Sequence, residues 1–469
     1  MQLSHTLPVA SATFDEPNLV SAAGLVPLMV LAHRAGLREL GDEYLSVPTD
    51  KGSNGGLKLA SLVAGMAAGA DSIDDMALLR HGAMAKVLDR PYAPSTLGSF
   101  LRKFTFGHVR QADAIASRFL LALAERTELL GDGQDAGTVM VDIDDTVVEV
   151  HGYQKQGAGF GYSGVRGLNA LLATVSTEQI APVIAAQRLR KGSAGSPRGA
   201  TRLATDALAL VHRTCLAGRQ VLVRADSAFY SHALVRGCLK AGADVSITVR
   251  MDKAVKRAIA SIDENAWQAI KYTDAIYDEQ TGAWISRAEV AEIPFTAFTS
   301  RKKTEQIPGR LVVRRIPDLN PTKDSGQETL FDTWRFHALF TTTPGTERDT
   351  ATADKVHRAH AIIENVHADL KASALAHMPS GAFNANAAWL ICAVISHNLT
   401  RAAATLTKTP TLTRATTSTI RRKLINLPAR IASSARRLRL HLPEGWPWQT
   451  AWSTLYDAVL PPRATTAPI

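Results

Sequence analysis

Cysteine is scarce in this chain: Cys215, Cys238 and Cys392 are its only three, far apart and without a CxxC spacing. That excludes a disulfide framework, gives no basis for a structural zinc site, and fits a reducing compartment. Long apolar runs are missing too. The most apolar stretch, Leu19 to Ala32, is interrupted by Pro27 and is too short to span a bilayer. The residues through Glu16 show no basic start followed by an apolar block. We therefore expect no signal peptide, no membrane helix, no membrane partner and a cytoplasmic location. Acidic side chains are outnumbered, 43 Asp and Glu against 53 Lys and Arg, for a net charge of +10 and a pI near 9.5. Such a surface attracts polyanions. A hydrophobic content of 46% over 469 residues allows a sizeable core and excludes a wholly disordered chain. That length favours two or three modules over one compact unit.

Helical spacing of apolar residues runs from Asn18 to about Gly131, with breaks at Pro48 to Gly56, Pro91 to Pro94 and Gly107. Residues 1–131 are therefore expected to form an all-helical N-terminal domain for DNA binding or assembly. Within it, Leu57 to Ala68 and Ile73 to Met84 read as short helices, the second with Ser72 and Asp75 in a capping arrangement. Ser95 is a plausible N-cap for another helix ending in Arg102 and Lys103. This region is either a DNA-reading helix-turn-helix or a bundle that only packs.

At Thr138 the pattern turns to β. Val139, Val141, Ile143 and Val147 alternate with Asp142, Asp144 and Thr146, and a glycine-rich stretch and a second run at Ala170 to Val175 follow. A helix at Thr205 to Ala217, a strand at Gln220 to Val223, a helix at Ser231 to Ala241 and a strand at Asp244 to Val249 complete a β-β-β-α-β-α-β order. An α/β, ribonuclease-H-like core would show this order. We expect it over 138–400, with a β-rich insertion at about 251–349 and a basic helical tail over 401–469.

Three carboxylates on this framework could hold divalent cations against a phosphodiester, because hard cations take oxygen ligands that rigid elements supply well. On the first strand Asp142 and Asp144 share a face and Asp145 points away. Asp144 is the first choice, with Thr146 beside it, and Asp142 is the reserve; a solvated acidic edge strand is the bland alternative. Asp226 closes the run Val221-Leu-Val-Arg-Ala, at the strand mouth where ligands collect in α/β sheets. A helix N-cap is its bland alternative, and Arg224 beside it could contact phosphate. The third is Glu364. His357, His360, Glu364, His367 and Lys371 fall three or four residues apart, on one helix face, while Ile363, Val366 and Leu370 face the core. A transition-metal site from His360, Glu364 and His367 competes, but HExxH order and a second ExxH are both missing. The glycine-rich stretch lacks the Lys-Ser/Thr ending of a P-loop.

From Arg401 onward the chain has eleven Lys or Arg against two acids. Arg421, Arg422, Lys423, Arg430, Arg436, Arg437 and Arg439 cluster there, ahead of Trp446, Trp448 and Trp452. Basic residues beside aromatics suit contact with phosphate and base; a solvated basic helix with packed tryptophans is the alternative.

Together these segments resemble the DDE transposases of bacterial insertion sequences, within them the insertion-sequence 1380 family. The resemblance rests on Asp142-Ile-Asp-Asp-Thr-Val147, Gly152-Tyr-Gln-Lys-Gln-Gly157, Gly161-Tyr-Ser-Gly-Val-Arg-Gly167, Arg224-Ala-Asp-Ser-Ala-Phe-Tyr230 and Ala361-Ile-Ile-Glu-Asn-Val-His-Ala-Asp-Leu-Lys371. It continues through Asn384-Ala-Asn386 and the apolar helix Ala387 to Asn398. It implies a ribonuclease-H-like catalytic domain, two Mg²⁺ ions that Mn²⁺ could replace, and cut-and-paste movement. The triad it implies is Asp144, Asp226 and Glu364, with Lys371 assisting. Where relatives carry Tyr and Arg on the last helix, His357 and His360 stand here. The DNA contacts expected from these readings together are His357, His360, Arg224, Arg421, Arg422, Lys423, Arg436 and Arg437. The implied partners are double-stranded DNA, as element ends and target, and a second copy in the DNA complex, in a nucleoid-associated bacterial protein. A catalytically silent DNA-binding derivative and a structure-selective nuclease are the rival readings.

Overall fold

The computed structural model describes residues 11–48, 50–88, 91–131, 133, 137–161, 164–278, 283–317, 334–434 and 437–460. The chain opens with a short strand, β1 (Leu19–Val20), and six helices: α1 (Leu25–Arg34), α2 (Leu37–Tyr44), α3 (Gly55–Ala68), α4 (Met84–Val87), α5 (Pro94–Arg102) and α6 (Phe106–Arg126). The expected helix over Ile73 to Met84 is instead a 3-10 turn, Asp74–Leu79, ahead of α4. Ser72 and Asp75 do meet as a capping pair, Oγ to Oδ2 2.7 Å, but at that turn. Ser95 does not cap α5. Pro94 takes the first helical position, where its missing N–H is harmless, and Ala93 stands before it.

A ten-stranded sheet follows. Its first strands are β2 (Val139–Glu149), β3 (Gly159–Phe160), β4 (Arg166–Ser176) and β5 (Val183–Lys191), then α7 (Ala200–Val211), β6 (Val221–Ala225), α8 (His232–Lys240) and β7 (Asp244–Thr248). β2 lies at the centre, antiparallel to β4 and parallel to β6; β5 pairs with β4, and β7 runs parallel to β6. Such interior strands read as continuous apolar runs, as in β4, where Leu168, Ala170, Leu171, Leu172 and Ala173 are all fully buried.

After α9 (Lys253–Ala260) come β8 (Gln268–Asp278), β9 (Ala283–Ala297), β10 (Ile307–Pro317) and β11 (Trp334–Thr341). These form an antiparallel run, and β11 pairs with β7, so the expected β-rich insertion extends the main sheet. The Arg315 guanidinium lies between the Trp267 and Trp334 rings, 4.3 and 4.4 Å from their centroids, and stiffens that extension.

The chain returns to the sheet centre through α10 (Thr350–Arg358), a 3-10 turn at Ala359–Ala361 and α11 (Ile362–Lys371), which packs on β2. The long α12 (Phe383–Leu406) then passes between β5 and helices α1, α3, α5 and α6. Trp389 at its centre is fully buried and donates Nε1–H to the Ala374 carbonyl at 2.6 Å. One hydrophobic cluster therefore runs from the N-terminal helices into the sheet. No described helix is long and apolar enough to cross a membrane.

The last segment corrects the expectation of a basic helical tail. Short helices α13 (Pro410–Thr413) and α14 (Thr417–Ile420) lead to a hairpin, β12 (Ala429–Ser434) and β13 (Arg437–His441), before α15 (Gln449–Val459). β12 pairs with β1, and α15 packs on α1 and α12. The reason is a period of two: Arg430, Ile431, Arg437, Leu438, Arg439 and Leu440 alternate charge with apolar bulk, a strand pattern.

Candidate active site

β2 brings two of its acids to one face. In parallel register Ile143 lies beside Ala225, so Asp144 stands level with Asp226, which leaves the end of β6. The register follows from the two apolar runs, since a one-residue slip would turn either acid into the opposite layer. Asp226 Oδ1 accepts the Ala228 N–H at 3.0 Å and caps the 3-10 turn Ser227–Phe229, while Ser231 caps α8. Desolvation, and next the Asp144 carboxylate, raise the Asp226 pKa above the usual carboxylate range. Its backbone partner and His360 pull the other way. A carboxylate whose ionisation is hindered by burial and by a neighbouring acid marks a site that a cation would relieve.

Asp142 has a different occupation. It is fully buried; Arg224 donates Nε–H to one of its oxygens at 2.7 Å and an Nη2 hydrogen to the other at 2.8 Å. His360 Nδ1 adds a third bond at 2.9 Å. Arg224, itself 2% exposed, also donates to the Val356 carbonyl. Asp142, the expected reserve metal ligand, thus has both oxygens hydrogen-bonded to protein, and Arg224, an expected phosphate contact, is buried against it. Asp145, facing away, is buried against Arg190. Of the three aspartates of β2, Asp144 is the one left partly open, its side chain 23% exposed.

The histidine stripe faces inward. The 3-10 turn at Ala359–Ala361 breaks the helix, so the five polar residues do not share one continuous face. His357 bridges Ser246 Oγ and Thr248 Oγ1 on β7, both at 2.9 Å, and burial pushes its pKa down to about 3. In this structure both of its ring nitrogens, expected to contact phosphate, meet β7 hydroxyls instead. His360 is spent on Asp142, so it too positions protein. His367 is buried with Nε2 3.5 Å from Asp144 Oδ2, and neither ring nitrogen has a hydrogen-bond partner among the described residues. Ile363, Val366 and Leu370 are buried as expected, while Glu364 and Lys371 stay exposed. Partial burial lowers the Lys371 pKa.

Glu364 lies on the helix packed over β2, yet among the described residues no three of His, Cys, Asp and Glu gather at metal-ligand distances. Asp144 and Asp226 fit a divalent cation by donor type and mutual repulsion; Glu364 is near in topology but not drawn in. At the other end of α11, Asp369 is buried and accepts the Thr417 N–H at 2.9 and 3.0 Å and the Thr417 hydroxyl at 2.8 Å. That clamp escaped the sequence reading, as did the contact between His367 and Asp144.

The proposed basic contacts are dispersed. Arg421 is half-buried and donates Nε–H to the Ala67 carbonyl at 3.1 Å. Lys423 Nζ lies 5.1 Å from the Trp448 ring centroid, and Arg422 is exposed. The Arg437 backbone pairs with Ser434, and Arg436 lies outside the described residues.

No curated protein matches the sequence. Among solved structures, the fold is similar to a piggyBac transposase synaptic complex with hairpin DNA, determined by cryo-electron microscopy. The identity is 11% and the TM-score 0.39, over 85% of this chain and 81% of that one. Residues 7–462 match the family described as transposase DDE domain group 1, which spans both the N-terminal helices and the carboxylate-bearing sheet. On that match across nearly its whole length, the chain belongs to the DDE-domain transposases.

Proposed function

We propose that this transposase binds the ends of a mobile element of the bacterial insertion-sequence 1380 type and carries out cut-and-paste transposition: metal-dependent strand cleavage, then strand transfer to target DNA. The observation that carries the reading is Asp144 level with Asp226 at the mouth of β6, beneath the helix that holds Glu364. The central strand order β5-β4-β2-β6-β7, antiparallel on one side of β2 and parallel on the other, supports a ribonuclease-H-like core.

Asp144, Asp226 and Glu364 would hold divalent cations, expected to be two Mg²⁺ with Mn²⁺ as substitute, which supply Lewis-acid stabilisation to the entering and leaving oxygens of a phosphodiester. The chain's own work is to place these acids. The Arg224–Asp142–His360 cluster fixes β2, β6 and the α10–α11 junction against each other. His367 backs Asp144, and the Thr417–Asp369 clamp ties the far end of α11. Lys371 stands exposed on that helix as a cation for the DNA backbone. Arg422 and Lys423 are proposed as further contacts to the DNA backbone, and a second copy is proposed to join in the DNA complex.

The test is cleavage of a DNA fragment carrying the sequences that flank the gene. Strand cuts at the element ends with Mg²⁺ and none with EDTA are expected. Asp226→Asn should bind the ends and not cut. Cutting by that variant, or cutting without a divalent cation, would overturn the assignment.

A further inference from the structure

The glycine-rich segment between β2 and β4 takes no part in the chemistry above, yet it is built to a tight specification. Gly192, after β5, donates N–H to the Gly157 carbonyl at 3.0 Å. A Cβ on Gly192 would lie 2.0 Å from the Gly167 oxygen and 2.4 Å from the Gly159 oxygen, so only glycine lets the two loops touch. The first loop is also fastened to the segment joining α11 to α12. Gln156 N–H donates to the Gly381 carbonyl at 2.9 Å, Phe383 N–H to Gln156 Oε1 at 3.1 Å, and Lys155 Nζ to the Met378 carbonyl.

On this fixed support two aromatic rings face solvent: Tyr153 is 93% exposed and Phe160 67%. The Arg166 guanidinium lies 5.5 Å from the Tyr153 ring centroid and donates to the Gly152 and Tyr153 carbonyls, so the tip is braced from below. Single exposed aromatics are ordinary on a protein surface. Here, however, residues 150–166 and 179–205, flanked by Glu149 and Glu178, include no Asp or Glu of their own, while Lys155, Arg166, Lys191 and Arg198 sit among them. A second copy of a chain with net charge +10 would be repelled by such a rim; a phosphate chain would be drawn to it, and its bases would offer flat faces to the rings.

The position suits the same ligand. β2 runs on from Asp144 to Glu149, about 17 Å at roughly 3.3 Å per residue, and the loop follows. At about 3.4 Å per nucleotide step the loop begins roughly five nucleotides from the carboxylates, with Tyr153 beyond that point.

We propose that these two glycine-rich loops form a DNA-stacking rim on which Tyr153, braced by Arg166, packs against an unstacked base of the element's terminal strand about five or more nucleotides from the scissile phosphate. The proposal rests on the transposase reading and adds a contact to it.

The experiment places 2-aminopurine at one position at a time, from about two to eight nucleotides from the cut, in end DNA bound by the full chain. Expected are a fluorescence change confined to one or two adjacent positions and its loss in Tyr153→Ala. It should be kept in Tyr153→Phe and diminished in Arg166→Ala, and Tyr153→Ala should bind end DNA about 5- to 100-fold more weakly. Tyr153 is exposed, so the variants should fold, and a circular dichroism spectrum verifies it. Unchanged fluorescence and affinity in Tyr153→Ala would overturn the proposal and leave the transposase reading standing, as would a changed oligomeric state with DNA binding intact. If the wild-type chain bound no end DNA, both would fall.

Discussion

Replacing Asp142 and Asp144 one at a time should separate support from chemistry on a single strand. Asp142→Asn leaves the Arg224 guanidinium buried and facing a neutral amide where it had a bidentate carboxylate. Breaking a buried pair by removing one charge costs about 3–5 kcal/mol, because the remaining ion is left without compensation. Arg224→Ala should cost a similar amount, leaving Asp142 with His360 as its one remaining partner among the described residues. Asp144 has no arginine partner among the described residues, is 23% exposed and weakens Asp226's ionisation, so Asp144→Asn should change stability by no more than about 0.5 kcal/mol. Two assays read the difference: the urea midpoint, and the Mn²⁺ concentration needed for cleavage at a temperature where every variant is folded. Asp142→Asn should move the midpoint and not the Mn²⁺ requirement; Asp144→Asn should abolish cleavage and leave the midpoint unchanged. A stable Asp142→Asn with a raised Mn²⁺ requirement would refute the reasoning, since Asp142 would then be a ligand.

Burial also lowers the pKa of His397 to about 3, so it and His357 stay neutral in the folded chain. Above pH 6.5 both are neutral folded or unfolded and contribute no pH dependence. As pH falls from 6.5 towards 3 the unfolded chain takes up protons the folded one refuses, so each histidine should remove about 1.4 kcal/mol per pH unit. Urea midpoints between pH 7 and 5 should fall, less steeply in His357→Asn; equal slopes would count against a buried neutral His357. Asp369→Ala should lower stability by about 1–3 kcal/mol by leaving the Thr417 N–H unpaired, and should lower the cleavage rate through the loosened α11. Unaltered rate and midpoint would show the clamp to be idle. Gly192→Ala should force the loops apart and raise proteolysis near residues 150–165, as read by limited digestion.

Local pattern carried the sequence reading where burial is symmetrical or alternation strict. The apolar runs of β6 and β7 and the core face of α11 could be read directly, because Val221 to Ala225 and Ile363, Val366 and Leu370 each repeat one environment. Polar residues on the inner face were harder. A histidine stripe looks alike whether it meets water or a buried carboxylate, and Asp142's partners lie 82 and 218 positions away. Charge misled at the tail, where the basic bias drew attention from the period of two that makes β12 and β13. His367 was legible on the helix stripe and as a rival metal ligand, but its approach to Asp144 depends on how α11 lies over β2.

Diffraction from the chain bound to end DNA and Mn²⁺, with anomalous signal recorded at the manganese edge, tests the central claim most directly. The account predicts manganese bound by Asp144 and Asp226 with Glu364 drawn onto it, and Asp142 still held by Arg224 and His360. Manganese bound by Asp142, or none beside Asp144 and Asp226, would contradict it.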